Sequence, residues 1–299
     1  MWRREYDWIR YDRAQVEPGT GSPLGPGSIT ACLIVRNEES TIARCLESVS
    51  GVVGEIVVVH DGPCTDRTLD QAAAFGCRVI EAPYYGHCER HTPLAYAEAR
   101  GEWLLNLDSD EFLSSALRAA IGGLVQVPDV DGYAFLWKHW DGARYITSNG
   151  PYKLVLFRKR VTRMIGVIHV QEEVDGNIRR VPLHLEHRPP DGHRRLGPTW
   201  RKWRQRARLH AREYLTRLDS VPRFNYPGSV RWTGRRELTS TLSPLLIAPA
   251  GLHTFVVVLA GLWRELGPRE ALRFAFSEGV YRSLVTGYVA WYRYVRSAR

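Results

Sequence analysis

The sequence predicts an α/β fold: a parallel sheet covered on both faces, extended by antiparallel strands and followed by a helical C-terminal region. Three observations carry this. Between Ser28 and Leu107, four short apolar runs alternate with stretches of helical spacing, the pattern of a doubly covered parallel sheet. After Ser114 the spacing changes to that of antiparallel strands. The last third then combines a basic block with a long uncharged stretch.

Residues 1–27 form a lead-in. Met1–Arg13 is polar and aromatic and lacks the apolar centre of a signal peptide, and the Gly/Pro/Ser-rich run that follows, AQVEPGTGSPLGPGS, has no periodicity. SITACLIV (Ser28–Val35) is a buried-type strand, and Thr41–Val49 places Ile42, Cys45, Leu46 and Val49 at helical spacing. EIVVVH is the second strand. Leu69–Phe75 is a helix ended by Gly76, and CRVIEA is the third strand. His91–Arg100 is a helix closed by Gly101, before the fourth strand EWLLNL. DGYAFLWKHW and YKLVLFRK read as antiparallel strands, followed by IGVIHVQEEVDG and VPLHLEHRPP. The predicted organisation is a catalytic unit over 28–190, divided into 28–113 and 114–190, and a basic, apolar helical region over 191–299. Five cysteines without CxxC or zinc spacing read as small core residues of a reducing compartment.

The stretch NLDSDEF (Asn106–Phe112) crowds Asp108, Asp110 and Glu111 at the end of a strand. Neighbouring carboxylates repel and raise one another's pKa unless a positive charge lies between them. A divalent cation, Mg²⁺ or Mn²⁺, meets that need with oxygen ligands; a solvated turn with Ser114 capping the next helix is the alternative. The loops holding Asn37–Glu39, Asp61–Asp66 and Asp108–Glu111 all leave strand carboxyl ends, where ligands bind in such sheets. Three acidic loops on one rim favour the cation.

With these residues in view, SITACLIVRNEESTIARCLESV, EIVVVHDGPCTDRTLDQAAAFGCRVIEAP and GEWLLNLDSDEF resemble the nucleotide-binding half of family 2 glycosyltransferases of the GT-A fold, a Rossmann-like mixed sheet. The resemblance is to the subgroup that includes lipopolysaccharide-core β-glucosyltransferases. It is specific over 28–113, looser over 150–190, and one of style beyond. It implies that Arg36, Asn37 and Glu38 lie against the ribose and pyrophosphate of a nucleotide-sugar, and that Asp61 accepts from a uracil imide N–H. It implies that Asp108 approaches the ribose or metal and that Asp110 ligates a metal bridging the diphosphate; His184 and His187 are candidates to lend that metal a nitrogen, with a structural histidine as the alternative for each, and His187 is the one assigned. Where many members carry Lys-Asn, this chain has Thr92-Pro93, and Arg90 or His91 is the candidate substitute.

Sugar transfer also needs a group to deprotonate the acceptor. His169, Glu172 and Glu173 in IHVQEEVDG are the candidates. The family's His-Glu signature is usually adjacent, whereas two residues separate His169 from Glu172 here, so either glutamate remains open, with Glu172 favoured by position after a turn. One base and no second carboxylate nucleophile imply an inverting single displacement.

Between Asp191 and Ser240, thirteen Lys/Arg face four acids, a surplus equal to the chain's entire net charge of +9. Such a block is an electrostatic footprint for phosphates. Leu238–Trp263 then has no charged residue for 26 positions but contains two prolines and two glycines. Helices lying in an anionic membrane surface fit this best, with one span or a buried helix as alternatives. The expected acceptor is a lipid-linked molecule or glycolipid, and the expected location the cytoplasmic face of the cell membrane. A polyprenyl-phosphate glycosyltransferase is the nearest rival. A nucleic-acid-binding protein with a degenerate enzyme domain is a distant one, since nucleic acid leaves Asp61, Asp108 and Asp110 without a purpose.

Overall fold

The computed structural model describes residues 22, 24–25, 27–140, 145, 152–168, 170–190, 196–215, 221–225, 247–266 and 268–290. Four strands open it: β1 (Ile29–Val35), β2 (Glu55–Asp61), β3 (Arg78–Ala82) and β4 (Trp103–Leu107). They pair in parallel in the order β3-β2-β1-β4, linked by helices α1 (Ile42–Val49), α2 (Thr68–Ala74) and α3 (Thr92–Glu98). Successive strand residues point to opposite faces, so the two covered faces account for the unbroken apolar runs. Leu33, Val58 and Leu105 meet α1 on one side; Cys32, Val57 and Leu104 meet Ala95 and Tyr96 of α3 on the other.

The chain then adds β5 (Glu111–Leu113), α4 (Ser115–Leu124), β6 (Gly132–His139), β7 (Tyr152–Arg158), β8 (Thr162–Ile165), β9 (Glu173–Val174) and β10 (Ile178–His187). β7 runs antiparallel to β6, as the sequence predicts, and also to β4. β10 joins β6 in parallel and receives β5 antiparallel, giving an eight-stranded mixed sheet, β3-β2-β1-β4-β7-β6-β10-β5. The short β5 is what turns the NLDSDEF segment back across the rim. Ser114 caps α4 by accepting from Leu117 N, 3.3 Å. A second, three-stranded sheet orders β11 (Arg223–Phe224) beside β8 and β9.

Three helices follow: α5 (Leu196–Leu215), α6 (Ile247–Leu266) and α7 (Pro268–Ala290). α6 and α7 pack closely: a Cβ on Gly251 would stand 2.8 Å from Gly279 O. Ala207 and Ala211 of α5 bury against Tyr281 and Val285 of α7. Among the described residues, no helix is long and apolar enough to cross a membrane. The first nine residues of the uncharged stretch, 238–246, lie outside the described residues. The five cysteines are free.

Candidate functional site

The loops after β1 and β2 are laced together at the strand ends. Asn37 sits at φ 51, a left-handed conformation that asparagine tolerates better than most residues. Its side chain donates to Thr65 Oγ1 (2.7 Å) and accepts from Thr65 N (3.0 Å). Glu38 N donates to Thr68 Oγ1, and Glu39 Oε2 accepts from Arg67 N while Glu39 N reaches Asp66 Oδ2. Beneath them, buried His60 accepts from Asn37 N at Nε2 (3.2 Å) and donates from Nδ1 to Gly62 O (2.6 Å), which defines its tautomer. Arg36 lies over the Tyr84 ring, 4.0 Å from its centroid. Gly62 has φ 83, and a Cβ there would meet Tyr84 Cβ at 2.7 Å. Only glycine fits.

Asp61 is fully buried. Its Oδ1 accepts from Tyr85 N (2.6 Å) and His91 Nε2 (2.9 Å), and its Oδ2 from Gly86 N (2.9 Å). Burial by itself would raise its pKa, but these donors, His91 foremost, hold it below the usual carboxylate range. The structure makes Asp61 the post on which residues 84–91 are organised, with about one of its four lone-pair directions left for a further donor. His91 makes a polar contact to Asp61; Arg90 is buried with its guanidinium 4.4 Å from the Tyr85 ring centroid.

At the end of β4 two of the three crowded carboxylates, Asp108 and Glu111, share Lys153, and the third, Asp110, pairs with His187. Glu111 is buried and accepts from Asp108 N (3.1 Å) and Lys153 Nζ (2.6 Å). Lys153 also reaches Asp108 Oδ2, 3.1 Å. The positive charge between Asp108 and Glu111 is therefore a lysine of β7. Burial alone would favour neutral Lys153, but Asp108 and Glu111 outweigh it and raise its pKa. Asp108 keeps 66% of its side chain exposed. Asp110 pairs with His187 Nε2 of β10 at 3.3 Å, and Arg188 N donates to Asp110 O. Burial would raise Asp110, yet His187 holds it low and anionic. The His187 ring stacks on Trp137, centroids 5.0 Å apart.

Among the described residues, no group of three His, Cys, Asp or Glu is arranged to hold a metal ion. A Mg²⁺-type cation needs no such cage: one or two protein ligands plus phosphate oxygens and waters suffice. The anionic Asp110 with His187 beside it, and exposed Asp108 two residues before, fit a cation completed by a diphosphate.

Glu172 comes to the same strand end. Its Oε1 accepts from Asn106 Nδ2 (2.7 Å) and from the hydroxyl of buried Tyr96. Burial raises its pKa despite the Tyr96 hydrogen bond. Glu173, in β9, is exposed and paired in register with Arg163, and His169 lies outside the described residues. The structure thus brings together Arg36, Asn37, Glu38, Asp61, Asp108, Asp110, His187 and Glu172 on one rim, and leaves Glu173 outside. Sequence reasoning missed Lys153, Tyr96 and Asn106. Asn106 alone carried a signal, as the one polar residue inside the run WLLNL.

Residues 30–167 match the family model described as Glycosyl transferase family 2. An uncharacterized glycosyltransferase of Rickettsia bellii is 32% identical over 112 residues, covering 38% of this chain and 37% of that protein. The lipopolysaccharide core biosynthesis glycosyltransferase LpsC of Rhizobium meliloti is 32% identical over 106 residues, covering 34% of this chain and 38% of that protein. The chain thus spans little more than a third of the length of these curated relatives. Among solved structures, Staphylococcus aureus TarS in complex with UDP is 15% identical at a TM-score of 0.40, covering 89% of this chain and 91% of that one. Glucosyl-3-phosphoglycerate synthase from Mycobacterium tuberculosis is 18% identical at a TM-score of 0.40, covering 62% of this chain and 77% of that one. Both likenesses are remote.

Proposed function

We propose that the protein is an inverting glycosyltransferase that moves a sugar from a nucleotide-sugar, a UDP-sugar, to a lipid-linked or glycolipid acceptor at the cytoplasmic face of a membrane. The observation that carries this reading is the rim itself. An anionic Asp110 paired with His187 and a half-buried Glu172 held by Asn106 both stand at the carboxyl end of β4, within the segment that matches the family 2 glycosyltransferase model.

In this reading Asn37, Glu38 and Asp108 border the ribose and diphosphate, and the loop carried by Asp61 lines the base. Asp110 and His187 would hold Mn²⁺ or Mg²⁺, which when bound would stabilise charge developing on the departing diphosphate. Lys153 keeps Asp108 and Glu111 apart and adds positive charge to the same edge. Glu172 accepts the acceptor hydroxyl's proton as that oxygen attacks the anomeric carbon. Its raised pKa makes it a stronger base than an open carboxylate, and Asn106 and Tyr96 fix the oxygen that does not receive the proton.

The acceptor assignment draws on the LpsC likeness and on the C-terminal region. The basic block precedes α6 and α7, whose outer surfaces expose Leu252 (64%), Val256, Trp263 and Phe276 (62%). Apolar side chains flanked by arginines suit the headgroup region of anionic lipid. Incubation with a panel of UDP-sugars, divalent cation and membrane lipid extract, with products read by mass spectrometry, tests the reading. A lipid product one hexose heavier supports it; hydrolysis-free recovery of every donor in the panel rejects it.

A further inference from the structure

α5 belongs to the region expected to serve attachment, yet it reaches the catalytic rim. Glu213 of this helix is 1% exposed. Its Oε1 meets His87 Nε2 at 2.8 Å, and its Oε2 accepts from Ile168 N at 2.8 Å. His87 belongs to the loop whose Tyr85 and Gly86 amides hold Asp61, and its Nδ1 lies 3.1 Å from Glu89. Ile168 belongs to the segment that leads to Glu172. The two segments also touch directly: a Cβ on Gly166 would stand 2.8 Å from Arg90 O. Leu209 of α5 packs on Gly86, where a Cβ would be 3.4 Å from its Cδ1. Burial favours neutral His87, but the Glu213 and Glu89 carboxylates raise its pKa to about 9. A buried charge pair that also satisfies a backbone amide is costly to break, because each partner left alone stays buried.

We infer that Glu213 is a positioning residue of the transfer site, one side chain that sets the spacing between the donor loop 84–91 and the acceptor segment 166–172. This rests on the function proposed above, in that those segments are assigned to donor and acceptor there. It places α5 within the machinery of transfer.

The test uses the full chain with Glu213→Gln, Glu213→Ala and His87→Gln. Expected is faster amide hydrogen exchange at Tyr85, Gly86 and Ile168 with β1–β4 unchanged, and a donor KM raised on the order of tenfold in Glu213→Ala. Glu213→Gln, whose amide still bonds both neighbours in neutral form, should recover most of both. A Glu213→Ala protein with exchange faster but KM and kcat unchanged marks the residue as merely structural and overturns the inference, as does unchanged exchange. If Glu213→Ala does not fold, His87→Gln, which removes the other member of the pair, decides by the same two readings. Absence of UDP binding by the wild-type chain would reject the proposed function; the exchange pattern would then still accept or overturn the role of Glu213.

Discussion

Glu172 and Asp110 carry opposite electrostatic tasks on one rim, and each is set by its neighbours. Burial raises Glu172 while Tyr96 opposes the shift, so a base of this kind is active only when deprotonated. Activity should therefore fall as pH drops through a value above the ordinary glutamate pKa of about 4.3. Glu172→Gln should retain donor affinity and lose turnover by a factor on the order of 10²–10⁴, measured by initial rates beside calorimetric UDP titration. Tyr96→Phe removes the hydrogen bond that favours the carboxylate, so the acidic limb of the rate profile should move to higher pH. An unmoved limb would show that another group titrates there.

Asp110 is depressed instead, with His187 outweighing burial. Its folded form thus favours the anion. The stability this contributes is present above the unfolded carboxylate pKa and is lost as pH falls through the lower folded one. Asp110→Ala should abolish cation-dependent UDP binding in calorimetry, while His187→Ala should weaken it. Undiminished binding by Asp110→Ala removes Asp110 from the cation site.

At the scale of elements, the site depends on how closely loops approach one another. Gly62 joins β2 to its loop in a left-handed conformation with Tyr84 against it. Gly62→Ala adds a left-handed strain of roughly 1–2 kcal/mol and a contact that backbone must move to relieve. Urea unfolding should show a loss of at least that size, accompanied by weaker UDP binding, whereas Gly76→Ala, at φ 70 with open space around it, should show the strain alone. The pairing of loops also explains residues that looked ordinary. Glu39 and Asp66 are such residues: the carboxylate of each accepts from the other loop's backbone N–H.

For the whole molecule, the boundary read after residue 190 does not coincide with a break in packing. A chain ending at about Pro190 loses Glu213, the partner of buried His87 and of the Ile168 amide. We expect that form to be less stable and to bind UDP more weakly than the full chain, by thermal unfolding and calorimetry. Attachment is a separate matter. The full chain should float with anionic liposomes and be released only in part by high salt, because each basic residue near the surface contributes about 1 kcal/mol that salt screens, while exposed Leu252, Val256 and Phe276 add an apolar share that it does not. Flotation unaffected by lipid charge would separate the arginines from attachment.

What the sequence by itself determined is the half of the fold written in local signals. The strands from Ile29 to Leu107 differ from their predicted bounds by a residue or two, because apolar runs punctuated by glycine and loop residues need no distant partner to be read. The carboxylates after β4 and the glutamates after β8 were legible as chemistry for the same reason. Which charge stands beside which was not. Lys153 reaches Asp108 across 45 residues and His87 reaches Glu213 across 126. Those meetings follow from the register of β7 on β4 and from the packing of α5 on the rim, which no window of sequence encodes. Only the tertiary structure decided that a lysine lies between two of the three acids, that Glu172 turns inward while Glu173 faces solvent, and that Glu213 of α5 meets His87 and the Ile168 amide. Long-range pairing is set by burial and sheet register summed over the whole chain, and a single side chain's contribution to that sum leaves no local mark.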